Sequence, residues 1–172
     1  MKNNILLIGF MGVGKGTIAR AFAKEYKVYN IDTDDLIESK ENKTIVKIFS
    51  KFGESYFREK EQETANWLEC CVKGTLISCG GGFYKVKNLN KIGKVVLLDA
   101  SFEWIYNRLK NAKNAEAKLA KRPLFKDLEK AKALYKERKK AYKKVANYIV
   151  NVEDKKEKDI LKELAKIAKI KS

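Results

Sequence analysis

Five short apolar runs alternate with longer stretches in which apolar residues recur every three or four positions. The runs are Ile5 to Ile8, Val28 to Ile31, Thr75 to Cys79, Val95 to Leu98 and Tyr148 to Val152. Runs of this length predict strands, and the periodic stretches between them predict helices. Strands alternating with helices predict the α/β class, a parallel sheet with helices on both faces, because each parallel connection has to cross over and a helix fills the crossover. Val95-Val96-Leu97-Leu98 has no polar alternation and suits a strand buried from both sides.

Three periodic stretches carry more than packing information. Phe57, Glu61, Ala65 and Leu68 fall on one helical face, which places an acid on a buried stripe in need of a cationic partner. Leu128, Ala131, Leu134, Tyr135, Ala141, Tyr142 and Val145 form a second stripe, and Arg138 lies on it rather than on the lysine face. Ile160, Leu161, Leu164, Ile167 and Ala168 mark a final packing helix over about Lys156 to Ile170. The segment from about Leu109 to Lys126 is weakly amphipathic and rich in Lys, Ala and Asn, which predicts a mobile flap. No internal repeat or linker divides the 172 residues, so a single domain spanning 1–172 is expected, long enough to bury a core without disulfides.

Composition narrows the functional classes. Met1-Lys2-Asn3-Asn4 precedes only four strongly apolar residues before Gly9, too few for a secretory leader, and no run approaches the ~20 residues that span a bilayer. A cytoplasmic protein without membrane association is the expectation. Cys70, Cys71 and Cys79 suit neither a redox pair nor a zinc site and read as small buried thiols. The net charge is +16, and residues 108–147 hold 15 Lys or Arg against four acids. A nucleic-acid surface would interleave exposed aromatics with such charges, whereas here the aromatics keep helical core spacing. A solvated lysine surface and no specific nucleic-acid partner are therefore expected. The chain has no histidine, which excludes His-dependent base, nucleophile and zinc mechanisms but leaves phosphoryl transfer open.

The sharpest local signal follows the first run. Gly9-Phe10-Met11-Gly12-Val13-Gly14-Lys15-Gly16-Thr17 has the spacing of a phosphate cradle, entered from a strand and left by a helix. Its glycines let backbone N–H groups curl around phosphate oxygens, Lys15 adds a mobile charge, and the helix aims its positive end at the anion. Gly16 stands where the pattern asks for Ser or Thr, and Thr17 follows one place later. A Mg²⁺ ion would then be held in the Gly16 or Thr17 region, through water, or by a carboxylate elsewhere.

Four further features converge on the carboxyl ends of the strands, where open α/β sheets bind ligands. Asp32-Thr33-Asp34-Asp35 ends the second run and serves Mg²⁺ through water, the acceptor hydroxyl as a base, or a helix N-cap. Arg58, three residues before Glu61, makes either a structural ion pair or a fork held ready for a substrate carboxylate. Arg138 likewise faces a substrate anion or an acid of the protein's own. Gly80-Gly81-Gly82 after the third run gives close backbone approach to a small ligand or forms a plain turn, and Arg122 beside Pro123 closes over phosphates or stays solvated.

This ordered set resembles the shikimate kinase family of phosphate-loop, nucleoside-monophosphate-kinase-like enzymes, over about Asn4 to Val152. The resemblance implies a three-layer α/β/α fold with a five-stranded parallel sheet in the order 2-3-1-4-5 and a lid at about 109–126. It implies transfer of the ATP γ-phosphoryl group to the 3-hydroxyl of shikimate by a monomer using ATP and Mg²⁺. It assigns Gly12, Val13, Gly14, Lys15, Gly16, Thr17, Arg108 and Arg122 to the nucleotide, with Arg108 against adenine. Asp34, Arg58, Gly80, Gly81, Gly82 and Arg138 go to shikimate. Asp34, Lys15 and Arg122 become the catalytic groups, and Asp32 an outer-shell group of Mg²⁺. Gly16, a lysine-rich lid and Lys140 in place of a usual proline depart from the family pattern. A gluconate-type kinase on the same scaffold and a basic nucleic-acid-binding module are the competing readings.

Overall fold

The computed structural model describes residues 3–113, 115–120 and 123–170. Strand β1 (Asn4–Ile8) is buried along its whole length and occupies the centre of a five-stranded parallel sheet. Strands β2 (Asn30–Asp32), β3 (Leu76–Ser78), β4 (Gly93–Asp99) and β5 (Tyr148–Asn151) complete it in the order β2-β3-β1-β4-β5. Ile5 is in register with Leu76 on one side and Lys94 on the other. The chain thus builds one side of β1 with β2 and β3 and the other with β4 and β5. The carboxyl ends of β1, β2 and β3 are left side by side, where a ligand crevice is expected.

Among the described residues the helices are α1 (Lys15–Tyr26), α2 (Thr33–Glu41), α3 (Ile45–Cys71), α4 (Leu89–Ile92), α5 (Phe102–Lys110), α6 (Ala115–Ala120), α7 (Leu128–Val145) and α8 (Glu157–Ala168). Helix α3 is bent at Gly53, whose φ of 79° and ψ of 178° lie outside helical space and in a region residues with a Cβ rarely adopt. The bend divides two packing tasks. Ile48 before it and Phe57 after it form a small core with Ile37 of α2, while Ala65 and Leu68 join the main core around the sheet. Asn4 ties the amino end of the sheet together. Its buried amide donates to the carbonyls of Val72 (2.7 Å) and Ile92 (3.0 Å), and its oxygen accepts from the Thr75 N–H (3.1 Å).

The structure corrects several expectations. Cys70 and Cys71 are exposed, because Leu68 is the last buried position before α3 ends, and only Cys79 is a buried thiol. Leu128, at the first position of α7, is 38% exposed, so the buried stripe begins one turn later at Ala131. Within the segment expected to form a flap, residues 114, 121 and 122 lie outside the described residues, and both of its ends are packed. Leu109 is buried within α5, and Phe125, in the 3-10 turn Pro123–Lys126, is buried against Phe10, Phe102 and Tyr106. No described helix is long and apolar enough to cross a membrane.

Candidate active site

The phosphate loop is held from within. Gly9, Gly12 and Gly14 have φ values of 144°, 87° and 111°, so the turn uses backbone conformations open mainly to glycine. Val13 is buried and its N–H donates to the Phe10 carbonyl (3.2 Å), which makes it a strut of the loop and leaves its side chain outside the cleft. Lys15 Nζ donates to the carbonyls of Gly9 (2.7 Å) and Phe10 (3.4 Å). Arg108 crosses from α5, donates to the Gly12 carbonyl (2.8 Å), and rests its guanidinium 3.1 Å from where a Cβ on Gly14 would stand. The guanidinium carbon of Arg108 lies 5.7 Å from the Trp104 ring centroid, a cation-over-ring contact.

A cleft of about 550 Å³ opens on this loop. Gly12, Gly14, Lys15, Gly16, Thr17, Asp32, Asp34, Gly80, Gly81 and Arg108 line it, as does a set the sequence did not assign to the site: Met11, Arg20, Ser78, Cys79, Leu109 and Ala112. Burial pushes the Cys79 thiol far above its ordinary range, so it lines the cleft as an uncharged group.

Two acids at the end of β2 divide their tasks. Asp32 is the N-cap of α2, its Oδ1 accepting from the Asp34 N–H (3.0 Å), while its Oδ2 lies on the Gly16 side. Asp34 has a buried Oδ1 with no hydrogen-bond partner among the described residues. Burial, reinforced by the negative charges of Asp32 and Glu61 and opposed by Lys15, pushes its pKa up to about 7. Between these acids Thr33 is fully buried, and its hydroxyl accepts from the Gly80 N–H (2.8 Å), locking the end of β3 to the start of α2. Sequence patterning missed Thr33, because the bond spans 47 residues.

The triple glycine makes room for three side chains in succession. A Cβ on Gly80 would collide with Asp34 Oδ1, one on Gly81 would lie 2.8 Å from Arg138 Nη1, and one on Gly82 would collide with Arg58 Nη1. Gly82 does not line the main cleft; it abuts Arg58, which belongs to a neighbouring hollow of about 330 Å³ with Glu61 and Lys85. The Arg58 fork is held on two edges: Nε and Nη2 donate to Glu54 Oε1 (3.0 and 2.7 Å), and Nη1 donates to Glu61 Oε2 (2.5 Å). One N–H on each terminal nitrogen remains to donate to a ligand. Glu61 is 1% exposed and its Oε1 has no partner among the described residues. Tyr142 on α7, one turn after Arg138, donates to the Gly81 carbonyl (2.8 Å), and burial pushes its phenol up to about 12. Arg122 lies outside the described residues.

The donor set suits a magnesium ion brought in by a nucleotide. Among the described residues no three carboxylate or thiol groups form a cage. Mg²⁺ does not require one, since it keeps several waters and takes one or two carboxylates plus substrate phosphates. Asp32 Oδ2 beside the loop at Gly16 is a group of that kind.

Residues 11–169 match the family model for shikimate kinase. The chain is 45% identical to the shikimate kinase of Helicobacter hepaticus over 86% of both chains, and 40% identical to that of Sulfurihydrogenibium sp. over 98% of both. Its fold is similar to that of Acinetobacter baumannii shikimate kinase solved with shikimate, with a TM-score of 0.72, 29% identity, and coverage of 97% of this chain and 93% of that one. The family model spans most of the chain and the identities extend over nearly its whole length, and the chain belongs to the shikimate kinase family.

Proposed function

We propose that the protein transfers the γ-phosphoryl group of ATP to the 3-hydroxyl of shikimate, giving ADP and shikimate 3-phosphate. The observation that carries this reading is that Asp34, Arg138 and Arg58 pack on three successive glycines after β3, the first two of which line, with Asp34, the same cleft as the phosphate loop. An acid able to take a proton thus stands beside two guanidinium groups able to hold a carboxylate.

In this account the loop backbone and Lys15 bind the phosphates, with Lys15 exchanging its loop carbonyls for β and γ oxygens when nucleotide enters. Arg108 packs against adenine. Arg58 and Arg138 clamp the shikimate carboxylate, and the backbone of Gly80 and Gly81 with Asp34 holds its hydroxyls. The Asp34 carboxylate receives the proton of the attacking hydroxyl as the new O–P bond forms and the bond from phosphorus to the β–γ bridging oxygen breaks. Lys15 and Arg122 neutralise charge on the transferring group. Mg²⁺, when bound, offsets phosphate charge, and Asp32 holds it through water. The enzyme acts as a cytoplasmic monomer, and its lysines form a solvated surface with no specific nucleic-acid partner.

Phosphorus NMR of the product tests the assignment of the acceptor. One new monoester resonance coupled to the ring proton at C3 is expected; phosphorylation at another hydroxyl would contradict the placement of Asp34.

A further inference from the structure

Gly16 leaves a hollow at the foot of the phosphate loop, and polar atoms from three elements surround it. Measured from where a Cβ on Gly16 would stand, Arg20 Nη1 is 3.3 Å away, and Asp32 Oδ2 and Ser78 Oγ are each 3.9 Å away. Ser78 closes β3, is 2% exposed, and lines the nucleotide cleft with what it exposes. A phosphate loop ordinarily supplies a metal-touching hydroxyl from the residue after its lysine, and this chain has none there. Thr17 lies one residue further along α1, about 100° around the helix axis, and is exposed.

We propose that Ser78 is a positioning residue for the metal: with Asp32 it holds a water in the hollow beside Gly16, and that water takes the coordination place of the absent loop hydroxyl. The chemistry suits the place. Such a water needs two to four polar partners, and here a carboxylate oxygen and a buried hydroxyl face the same hollow from adjacent strands. Mg²⁺ retains waters readily, so a water held by outer groups is a natural substitute for a direct hydroxyl ligand. The Arg20 guanidinium on the open side adds a donor and limits how negative the hollow becomes. Gly16 itself lies in α1 with no positive φ, so a serine there meets only the end of the exposed Arg20 side chain.

This inference rests on the phosphate loop binding a nucleotide, and its test separates the two. Binding of Mn²⁺ to the enzyme–ADP complex is followed by the loss of the free-ion EPR signal in wild type, Ser78→Ala, Gly16→Ser and the double variant. Metal-free ADP affinity is measured alongside by calorimetry. Ser78→Ala is expected to weaken Mn²⁺ by about tenfold, in the range of outer-shell partners, with metal-free ADP affinity held within about twofold. Gly16→Ser in the Ser78→Ala background is expected to restore Mn²⁺ affinity, because it returns a direct hydroxyl to the loop. Unchanged Mn²⁺ affinity in Ser78→Ala overturns the proposal. So does a loss that Gly16→Ser does not rescue, or one matched by an equal loss of metal-free ADP binding. Failure of the wild type to bind ADP at all would instead remove the kinase reading on which the proposal stands.

Discussion

Asp34 Oδ1 occupies the space beside Gly80 that a Cβ would fill. The approach is fixed from behind, since the Thr33 hydroxyl accepts from the Gly80 N–H and Asp32 caps the helix on which Asp34 sits. Position 80 is glycine because the acid has to stand against the backbone. Gly80→Ala is expected to displace the carboxylate and lower kcat by about 10²-fold, the cost of a misplacement near 1 Å, while ADP affinity stays within about twofold. Steady-state kinetics with an ADP titration checks this.

As the proposed base, Asp34 is expected to link activity to pH. Its pKa of about 7 in the folded protein lies above its unfolded value of 3.8, chiefly through burial. A base has to be ionised in the free enzyme, so kcat/KM for shikimate is expected to fall about tenfold per pH unit below about 7. Asp34→Asn is expected to lower turnover by about 10²- to 10⁴-fold. A full pH profile of both proteins measures each.

Stability runs in the opposite direction to activity at this residue. The folded state retains the Asp34 proton between the unfolded value of 3.8 and about 7, so it binds more protons than the unfolded state there. Its contribution to stability is therefore greatest at low pH and is lost as pH rises through about 7. Asp34→Asn escapes the penalty of a buried charge and is expected to have a higher Tm than wild type at pH 8, with the difference shrinking toward pH 5. Each kcal/mol gained corresponds to roughly 2–4 °C. Calorimetric scans at the two pH values give the sign directly.

Lys15 acts on both halves of the cleft. Lys15→Ala is expected to cut turnover by about 10²- to 10³-fold through loss of phosphate stabilisation. Because Lys15 opposes the rise in the Asp34 pKa, the same variant should also move the Asp34 titration upward, which carbon NMR of the carboxylate reads without turnover.

Arg58 is a test of the carboxylate clamp. Arg58→Lys keeps the charge and loses the fork that Glu54 and Glu61 hold. With charge-assisted hydrogen bonds contributing about 1.5–3 kcal/mol, KM for shikimate is expected to rise tenfold or more, with KM for ATP little changed.

Much of this arrangement was legible in the chain. The continuous apolar runs marked β1, β3 and β4 because the inner strands of the sheet are buried, whereas the edge strands β2 and β5 are only partly covered, and Glu61 on an apolar stripe pointed to Arg58 as its partner. The spacing of the loop glycines read directly as a turn. What stayed hidden depends on contacts between distant segments. Nothing near Thr33 announces that its hydroxyl binds Gly80, and nothing near Gly82 announces that Arg58 fills its missing side chain. Arg20 and Ser78 look ordinary in their own elements and gain meaning only where the start of α1 meets the ends of β2 and β3. The exposure of Cys70 and Cys71 turns on where α3 stops, which periodicity places only to within a turn.

The central claim is a site built for ATP and shikimate. Its most direct test is coupled ADP release by the purified protein with Mg²⁺ and ATP, comparing shikimate with gluconate and AMP as acceptors. The account predicts saturable turnover with shikimate, lowered at least about 10²-fold in Asp34→Asn, and none above background with the other two. No shikimate-dependent release, or faster release with gluconate or AMP, would contradict it.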